Sequence, residues 1–480
     1  MSYIVKGYKN QRVFEIFEDL CAIPHGSGNE VGIADYIEKF VSDLGLECDR
    51  DDTGNVFVRK GAAAGYEDIP PLLLQGHMDM VCEKNDGVEH DFEKDALELF
   101  VENGLLGARG TSLGGDNGIA VAMMLALLCT DKHPTLECLF TVEEETGLTG
   151  AKGFDCSKIT AKRMINLDSE EENTVTAGCA GGVRTDVVFV NEKVQTQSER
   201  VAYTISVSGL AGGHSGADIN KCRANAIVLL ARILQRVLSE QDVWLCDICG
   251  GGKDNAIARE AKATVICTDG ERLCESVRDE SEKIKKELCE LDSGMETTLC
   301  KTSRSSCFTL DVTKNIIGFL SLVKTGVLKF STQIDGLVEY SRNLGIVVTD
   351  GEGVRVTLSS RSSLEPQIDF SCRELDMLGE LMRCDSVEHY SRYPGWEYAV
   401  NSPLRERYIN LYEKMFGTSP AVAVIHAGLE CGIISSKTPG LDIISIGPDM
   451  YDIHSPAERL NLLSCDKIYD LLLAFVSERE

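Results

Sequence analysis

The chain has 480 residues, 43% of them hydrophobic and 26% charged, the composition of a folded globular protein rather than of a disordered, collagenous or disulfide-scaffold one. Its 76 acidic residues exceed its 48 basic ones, for a formal net charge of −28. A surface of that sign repels phosphate backbones and anionic headgroups, so neither nucleic acid nor membrane is an expected partner.

In chain order, the N-terminal segment carries scattered charges and no apolar stretch leading to a small-residue cleavage site, so no secretory signal is expected. The 19 cysteines are odd in number and lack framework spacing, which predicts free thiols in a reducing compartment and a cytoplasmic protein. Residues 71–75 (PLLLQ) read as a buried strand running into Gly76, His77, Met78 and Asp79. The turn Gly114-Gly115-Asp116-Asn117-Gly118 opens the longest apolar run, 118–129. That run is shorter than the roughly 20 residues that span a bilayer, and predicts a buried helix. A second strand, 135–142, ends at Glu143-Glu144-Glu145-Thr146-Gly147, and a third, 163–167, ends at Asp168. Up to about residue 188 strands and helical patterns alternate, which predicts an α/β body with a mostly parallel sheet.

From 189 to 393 the texture changes to period-two strands, such as 201–208 and 354–360, between amphipathic helices. This predicts an inserted α+β domain long enough to hold two related halves. After the turn Tyr393-Pro394-Gly395, a strand at 441–446 and a helix at 465–477 resume the first pattern. The body is therefore expected to be discontinuous, 1–188 and 394–480, around the insertion 189–393.

Three strands ending in metal-type side chains imply one shared site, because ligands of open α/β sheets bind outside the carboxyl ends of the strands. Asp116, in its glycine-rich turn, is a fourth candidate. Taken singly, each has a plainer reading: His77 as a core histidine, the glutamate run as a solvated loop, Asp116 as a turn former. The pair Cys246 and Cys249 lacks the second pair that a zinc knuckle needs. His25, His90, His133, His389 and His426 read as structural or surface groups.

Six motifs, HMD at 77–79, GGDNG at 114–118, EEETG at 143–147, NLD at 166–168, GGHSG at 212–216 and HSPAE at 454–458, together resemble the M20 metallopeptidases, and within them the aminoacyl-histidine dipeptidase branch. The resemblance spans nearly the whole chain. It implies an α/β phosphorylase/hydrolase-like zinc peptidase body with an α+β lid, and two Zn2+ per chain, with Mn2+ or Co2+ as possible substitutes. His77, Asp116, Glu145, Asp168 and His454 would be the ligands, with Asp116 bridging. Glu144 would be the general base, Asp79 would orient His77, and His214 would stabilise the oxyanion. Glu143 stands where the family has aspartate, and Gly147 anchors the register. Asn255, Arg361 and Gly428 match the family's contacts to the peptide ends. The implied substrates are unblocked dipeptides, including Xaa-His dipeptides such as β-Ala-His. The alternatives are a related deacylase or carboxypeptidase and, more remotely, a non-catalytic metal-binding scaffold. A homodimer is compatible with the resemblance. In dimeric relatives with short lids the partner subunit supplies the oxyanion histidine, and an insertion of about 200 residues, the size of a whole domain, could supply its own second half.

Overall fold

The computed structural model describes residues 3–190, 192–196, 200–288, 290–334 and 336–479. The chain divides into two units: the first runs to Cys179 and resumes at Trp396–Val424 and from Leu429 on, and the second is Ala180–Gly395 with Ile425–Gly428.

The first unit is built on an eight-stranded sheet in the order Cys48–Arg50, Val56–Lys60, Leu136–Thr141, Leu72–His77, Arg163–Asn166, Asp442–Ser445, Thr174–Cys179 and Ala421–Ile425. Its centre is parallel: Leu136–Thr141, Leu72–His77, Arg163–Asn166 and Asp442–Ser445 run the same way. Leu72–His77 and Leu136–Thr141 are buried at every residue, as strands covered on both faces must be. At the margins the sheet turns antiparallel; Cys48–Arg50 and Val56–Lys60 form a hairpin, because so short a connection leaves no room for a crossover. In the parallel register His77 lies opposite Thr141, and Gln75 opposite Asn166. The carboxyl ends of the three ligand-bearing strands are thereby aligned.

The apolar run becomes the helix Gly115–Leu127, buried along its whole length. It packs on Leu72–His77 and against the helices Gln11–Cys21, Val31–Asp43 and Leu462–Ser477. Each aliphatic side chain fully buried there contributes about 1.5–3 kcal/mol. This is the anchorage of the turn that carries Asp116.

The second unit is an antiparallel sheet in the order Glu296–Thr302, Val201–Ser208, Ala261–Cys267, Val243–Gly250, Val338–Thr349, Gly353–Ser362, Gly181–Val190 and Ser386–Tyr393, with Gly326–Phe330 paired to Val338–Thr349. The helices Ala226–Leu238, Gly270–Glu287, Leu310–Leu322 and Glu365–Leu381 share one core with it. Two halves are visible. Val201–Ser208, Ala226–Leu238, Val243–Gly250, Ala261–Cys267, Gly270–Glu287 and Glu296–Thr302 make a βαββαβ unit. Gly181–Val190, Leu310–Leu322, Val338–Thr349, Gly353–Ser362, Glu365–Leu381 and Ser386–Tyr393 make a second, whose first strand precedes the other half in the chain. The strand orders 4-1-3-2 and 2-3-1-4 meet at the pairing of Val243–Gly250 with Val338–Thr349.

The crossing into this unit lies after Cys179, not at 188/189, because Gly181–Val190 pairs along its length with Gly353–Ser362. All 18 described cysteines are free. Cys246 is packed with Ala202, Ile266 and Cys307, and burial, followed by the influence of Cys307, pushes its thiol up to about 12, far from the thiolate a metal ligand requires.

Candidate active site

His77 closes its strand with 1% of its surface exposed. Its Nδ1 lies 3.0 Å from the Asp79 carbonyl and 3.3 Å from Asp79 Oδ1. Both neighbours are acceptors, so Nδ1 carries a proton, and Nε2 is the ring nitrogen left to face a metal. That nitrogen lies 3.1 Å from Asp116 Oδ1 and 3.3 Å from Asp168 Oδ1. The other oxygen of Asp116, Oδ2, lies 3.2 Å from His454 Nε2, which is also 2.9 Å from Glu145 Oε1. One carboxylate thus stands between two imidazoles, with Asp168 added on one side and Glu145 on the other.

The donor set fits a pair of divalent ions. Tetrahedral bonds of about 2.0–2.1 Å place ligand atoms about 3.3 Å apart, close to the spacings just given. Among the described residues, ligand atoms of His77, Asp116 and Glu145 all lie within 4.8 Å of one another. Glu145 Oε1 is buried, and His454 Nε2 lies 2.9 Å from it without hydrogen-bonding geometry, the relation of two ligands of one ion. Burial, opposed by His77 but reinforced by Asp116 and Glu145, pushes Asp168 up to about 7. The cluster holds more negative charge than its own histidines offset. Imidazole and carboxylate ligands suit zinc, manganese and cobalt alike. His77 is buried while the His454 side chain is 44% exposed, so the centre is closed on one side and open on the other.

Asp79 joins the two halves of this arrangement. Besides facing His77, it accepts the Glu144 N–H at 3.0 Å and the Glu145 N–H at 3.2 Å, and Ser27 Oγ donates to it at 2.7 Å. Glu143 adopts a left-handed conformation (φ 49°), uncommon for a residue with a long side chain, and its N–H turns to Glu30 at 3.1 Å. It is Glu145, not Glu143, that reaches the ligand cluster. Glu144 is held well above the usual carboxylate range, first by burial and then, against the pull of His77, by Asp168, Glu430 and Glu145. A carboxylate so perturbed, and free of the ligand set, suits proton transfer near neutral pH.

Several supports were not evident from the sequence. Asn117 accepts the His77 N–H at 3.2 Å and donates to the Leu167 carbonyl at 2.9 Å, tying two strand ends together. Gly76 is required beside it, since a Cβ there would lie 2.5 Å from Asn117 Oδ1. Glu430 is fully buried and accepts from Gln75 Nε2 at 2.5 Å and Thr141 Oγ1 at 2.6 Å, while Asn166 Nδ2 donates to Gln75 Oε1 at 2.6 Å. Glu458, inside the HSPAE motif, accepts from the backbone under Asp116. Adjacency in sequence signals none of these bonds, which join residues 40 to 355 positions apart.

In the second unit the structure gathers His214, Asn255, Arg361 and Gly428. His214 pairs with Ala256, and the Ser215 N–H donates to the Asn255 carbonyl at 2.8 Å. The N–H groups of Gly216 and Ala217 donate to His214 Nδ1 at 3.2 and 3.1 Å, so the neutral ring carries its proton on Nε2. Burial, then the nearby Arg361 charge, lowers the pKa of His214 and favours that neutral donor. Arg361 donates to Tyr393 Oη at 3.0 Å, and Gly428 lies against the same tyrosine ring, which a Cβ would meet at 2.8 Å. Tyr393 and His426, whose Nε2 is 2.6 Å from Ser341 Oγ, are thus neighbours of the group. The sequence marks Tyr393 only as part of a turn and His426 as a structural or surface group.

The fold and ligand cluster define a metallopeptidase class, and the chain belongs to the peptidase family M20/M25/M40, whose model matches residues 73–478. It is 36% identical to the cytosol non-specific dipeptidase of Escherichia coli K12 over 475 residues, 98% of this chain and 97% of that one. The crystal structure of aminoacylhistidine dipeptidase from Vibrio alginolyticus superposes with a TM-score of 0.93 at 33% identity, covering 99% of each chain. Aminopeptidase PepT from Bacillus cereus shares the fold, at 17% identity, a TM-score of 0.53 and 98% coverage of each chain. Among the described residues no helix is long and apolar enough to cross a membrane.

Proposed function

We propose that this chain is a cytoplasmic dipeptidase that cleaves unblocked dipeptides, Xaa-His dipeptides among them, at a centre holding two zinc ions. The observation that carries the reading is the Asp116 carboxylate set between His77 and His454, with Asp168 and Glu145 completing two ligand groups. Divalent ions bound there supply Lewis acidity toward a carbonyl oxygen and toward water.

The remaining work falls to side chains. Asp79 holds the tautomer and angle of His77 while fixing the backbone at Glu144 and Glu145, so base and ligand diverge from one turn. Glu144 takes a proton from the attacking water and delivers it to the departing amine. His214 donates its Nε2 proton toward the carbonyl oxygen as negative charge develops on it. Arg361 binds the free carboxylate with its guanidinium fork, held by Tyr393, and Asn255 and the backbone at Gly428 complete the contacts to the peptide end.

A clamp deprived of its charged partner is left buried and unpaired, so a missing or displaced terminus should cost about 1–3 kcal/mol or more in the transition state. The test is kcat/KM for β-Ala-His, Gly-His, Gly-Gly-His and N-acetyl-Gly-His, each with and without added zinc, manganese or cobalt. The two free dipeptides should be cleaved far faster than the other two, and only with metal. Comparable rates across the four would refute the reading, and a preference for the acetylated compound would transfer it to the deacylases.

A further inference from the structure

Glu458 is a buried carboxylate, 3% exposed, to which the mechanism gives no role. Its Oε2 accepts the N–H groups of Leu113 at 2.7 Å and Gly114 at 3.2 Å, and its Oε1 those of Gly115 at 2.8 Å and Asp116 at 3.4 Å. Four consecutive backbone donors converge on one side chain, and among the described residues no lysine or arginine side chain is bonded to it. The peptide these bonds fix is the one that carries the bridging Asp116. Four residues before Glu458 stands His454, whose Nε2 faces Asp116 Oδ2.

The two proposed metal positions depend on this residue unequally. His77 is set by its strand, by Asp79 and by the Asn117 contact to its N–H, and Asp168 follows a central strand; neither relies on the 454–458 loop. The other position takes its ligands from His454, Asp116 and Glu145, two of which hang on the segments that Glu458 joins.

We infer that Glu458 is a positioning residue that aims the Asp116 carboxylate and His454 together, and so governs affinity for the metal on the His454 side, where two ligands depend on it, far more than on the His77 side, where only the shared Asp116 does. This rests on the two-ion reading above. A carboxylate suits the task because it accepts on both oxygens, whereas a glutamine would turn an NH2 toward two of the four donors. Partners that orient ligands from behind typically contribute 10–100-fold to metal affinity.

The experiment is a zinc titration of metal-free wild type, Glu458→Gln and Gly115→Ala against a chromophoric chelator, together with thermal unfolding of the metal-free proteins. Gly115→Ala reaches the same contact from the other side: its Cβ would lie 3.1 Å from Glu458 Oε1, close enough to shift the carboxylate without removing it. The expected result is two affinities in the wild type, with the weaker lowered tenfold or more in Glu458→Gln and by a smaller factor in Gly115→Ala. The tighter should stay within about threefold, far less than the 10–100-fold expected of a lost supporting contact. The unfolding temperature of metal-free Glu458→Gln should fall, because buried donors lose their acceptor, whereas a merely structural role would weaken both metal positions alike. Equal loss at both positions, or two ions held as tightly by the variants as by the wild type, would overturn the inference alone. A wild type that bound a single ion would overturn the two-ion reading and the inference with it.

Discussion

Glu144 and Asp116 differ in what their loss would do. Glu144→Gln removes a proton acceptor but no ligand, so turnover should fall by about 10²–10⁴-fold while metal analysis still finds two ions per chain. A mutant that lost an ion would show that Glu144 is a ligand and Glu145 the base. Asp116→Ala deletes the group shared by both imidazoles and should empty or scramble both positions; two retained ions would remove Asp116 from the bridge. His426 offers a test independent of metal. Burial, then the Arg361 charge, lowers it to about 4, against about 6.5 in an unfolded chain. Between those values the unfolded state binds the extra proton, so the stabilisation is complete above pH 6.5 and is lost as pH falls toward 4, by about 3 kcal/mol in all. Urea unfolding of wild type and His426→Gln across pH 7.5 to 4.5 should give a shallower slope for the variant. Identical slopes would mean that the ring is already solvated and its burial carries no penalty.

At the scale of elements, the catalytic framework is three parallel strands stopped at the same level. Their ends were legible because each changes abruptly from an apolar run to Gly-His-Met-Asp, to Glu-Glu-Glu or to Asp168, and a parallel sheet brings such ends together. What keeps them level was not legible. Gln75, Thr141 and Asn166 sit inside the apolar runs; Asn166 donates to Gln75, and the acceptor of Gln75 and Thr141, Glu430, is 355 residues beyond Gln75. Nothing in a linear pattern pairs them. The boundary near 188 was misplaced for a related reason: Thr174–Cys179 and Gly181–Val190 are separated by one residue, although they belong to different sheets. The Glu430 network has a measurable energy. Glu430→Ala leaves the Gln75 and Thr141 donors unpaired in the interior, at about 1–3 kcal/mol each, so the folding free energy should fall by about 2–5 kcal/mol. Glu430→Gln, which can turn its oxygen to both donors and bury no charge, should cost less than about 1 kcal/mol. Equal losses for the two variants in chemical denaturation would show that the carboxylate charge, rather than the hydrogen bonds, is what the strands require.

At the scale of the molecule, the second unit carries both halves of a near-symmetric sheet in one chain. The half that holds His214 and Asn255 is Val201–Ser208 through Glu296–Thr302, and the half that holds Arg361 ends at Ser386–Tyr393. They are joined through Val243–Gly250 and Val338–Thr349, and interleaved because Gly181–Val190 enters the second half before the first is built. The electrostatic influence of Arg361 on His214 arises within one unit of a single chain, so the proposed carboxylate clamp and oxyanion donor belong to the same chain. His214 is therefore expected to act in its own chain, whatever the oligomeric state. Mixing inactive His214→Ala with inactive Glu144→Gln protein, unfolding and refolding them together so that any dimers form at random, decides the matter. Histidine acting within its own chain predicts no recovery, because each chain lacks one of the two groups. Histidine acting across subunits predicts that the mixed dimers, about half of a random population, regain one competent site each, or about a quarter of wild-type activity, and that outcome would refute the expectation.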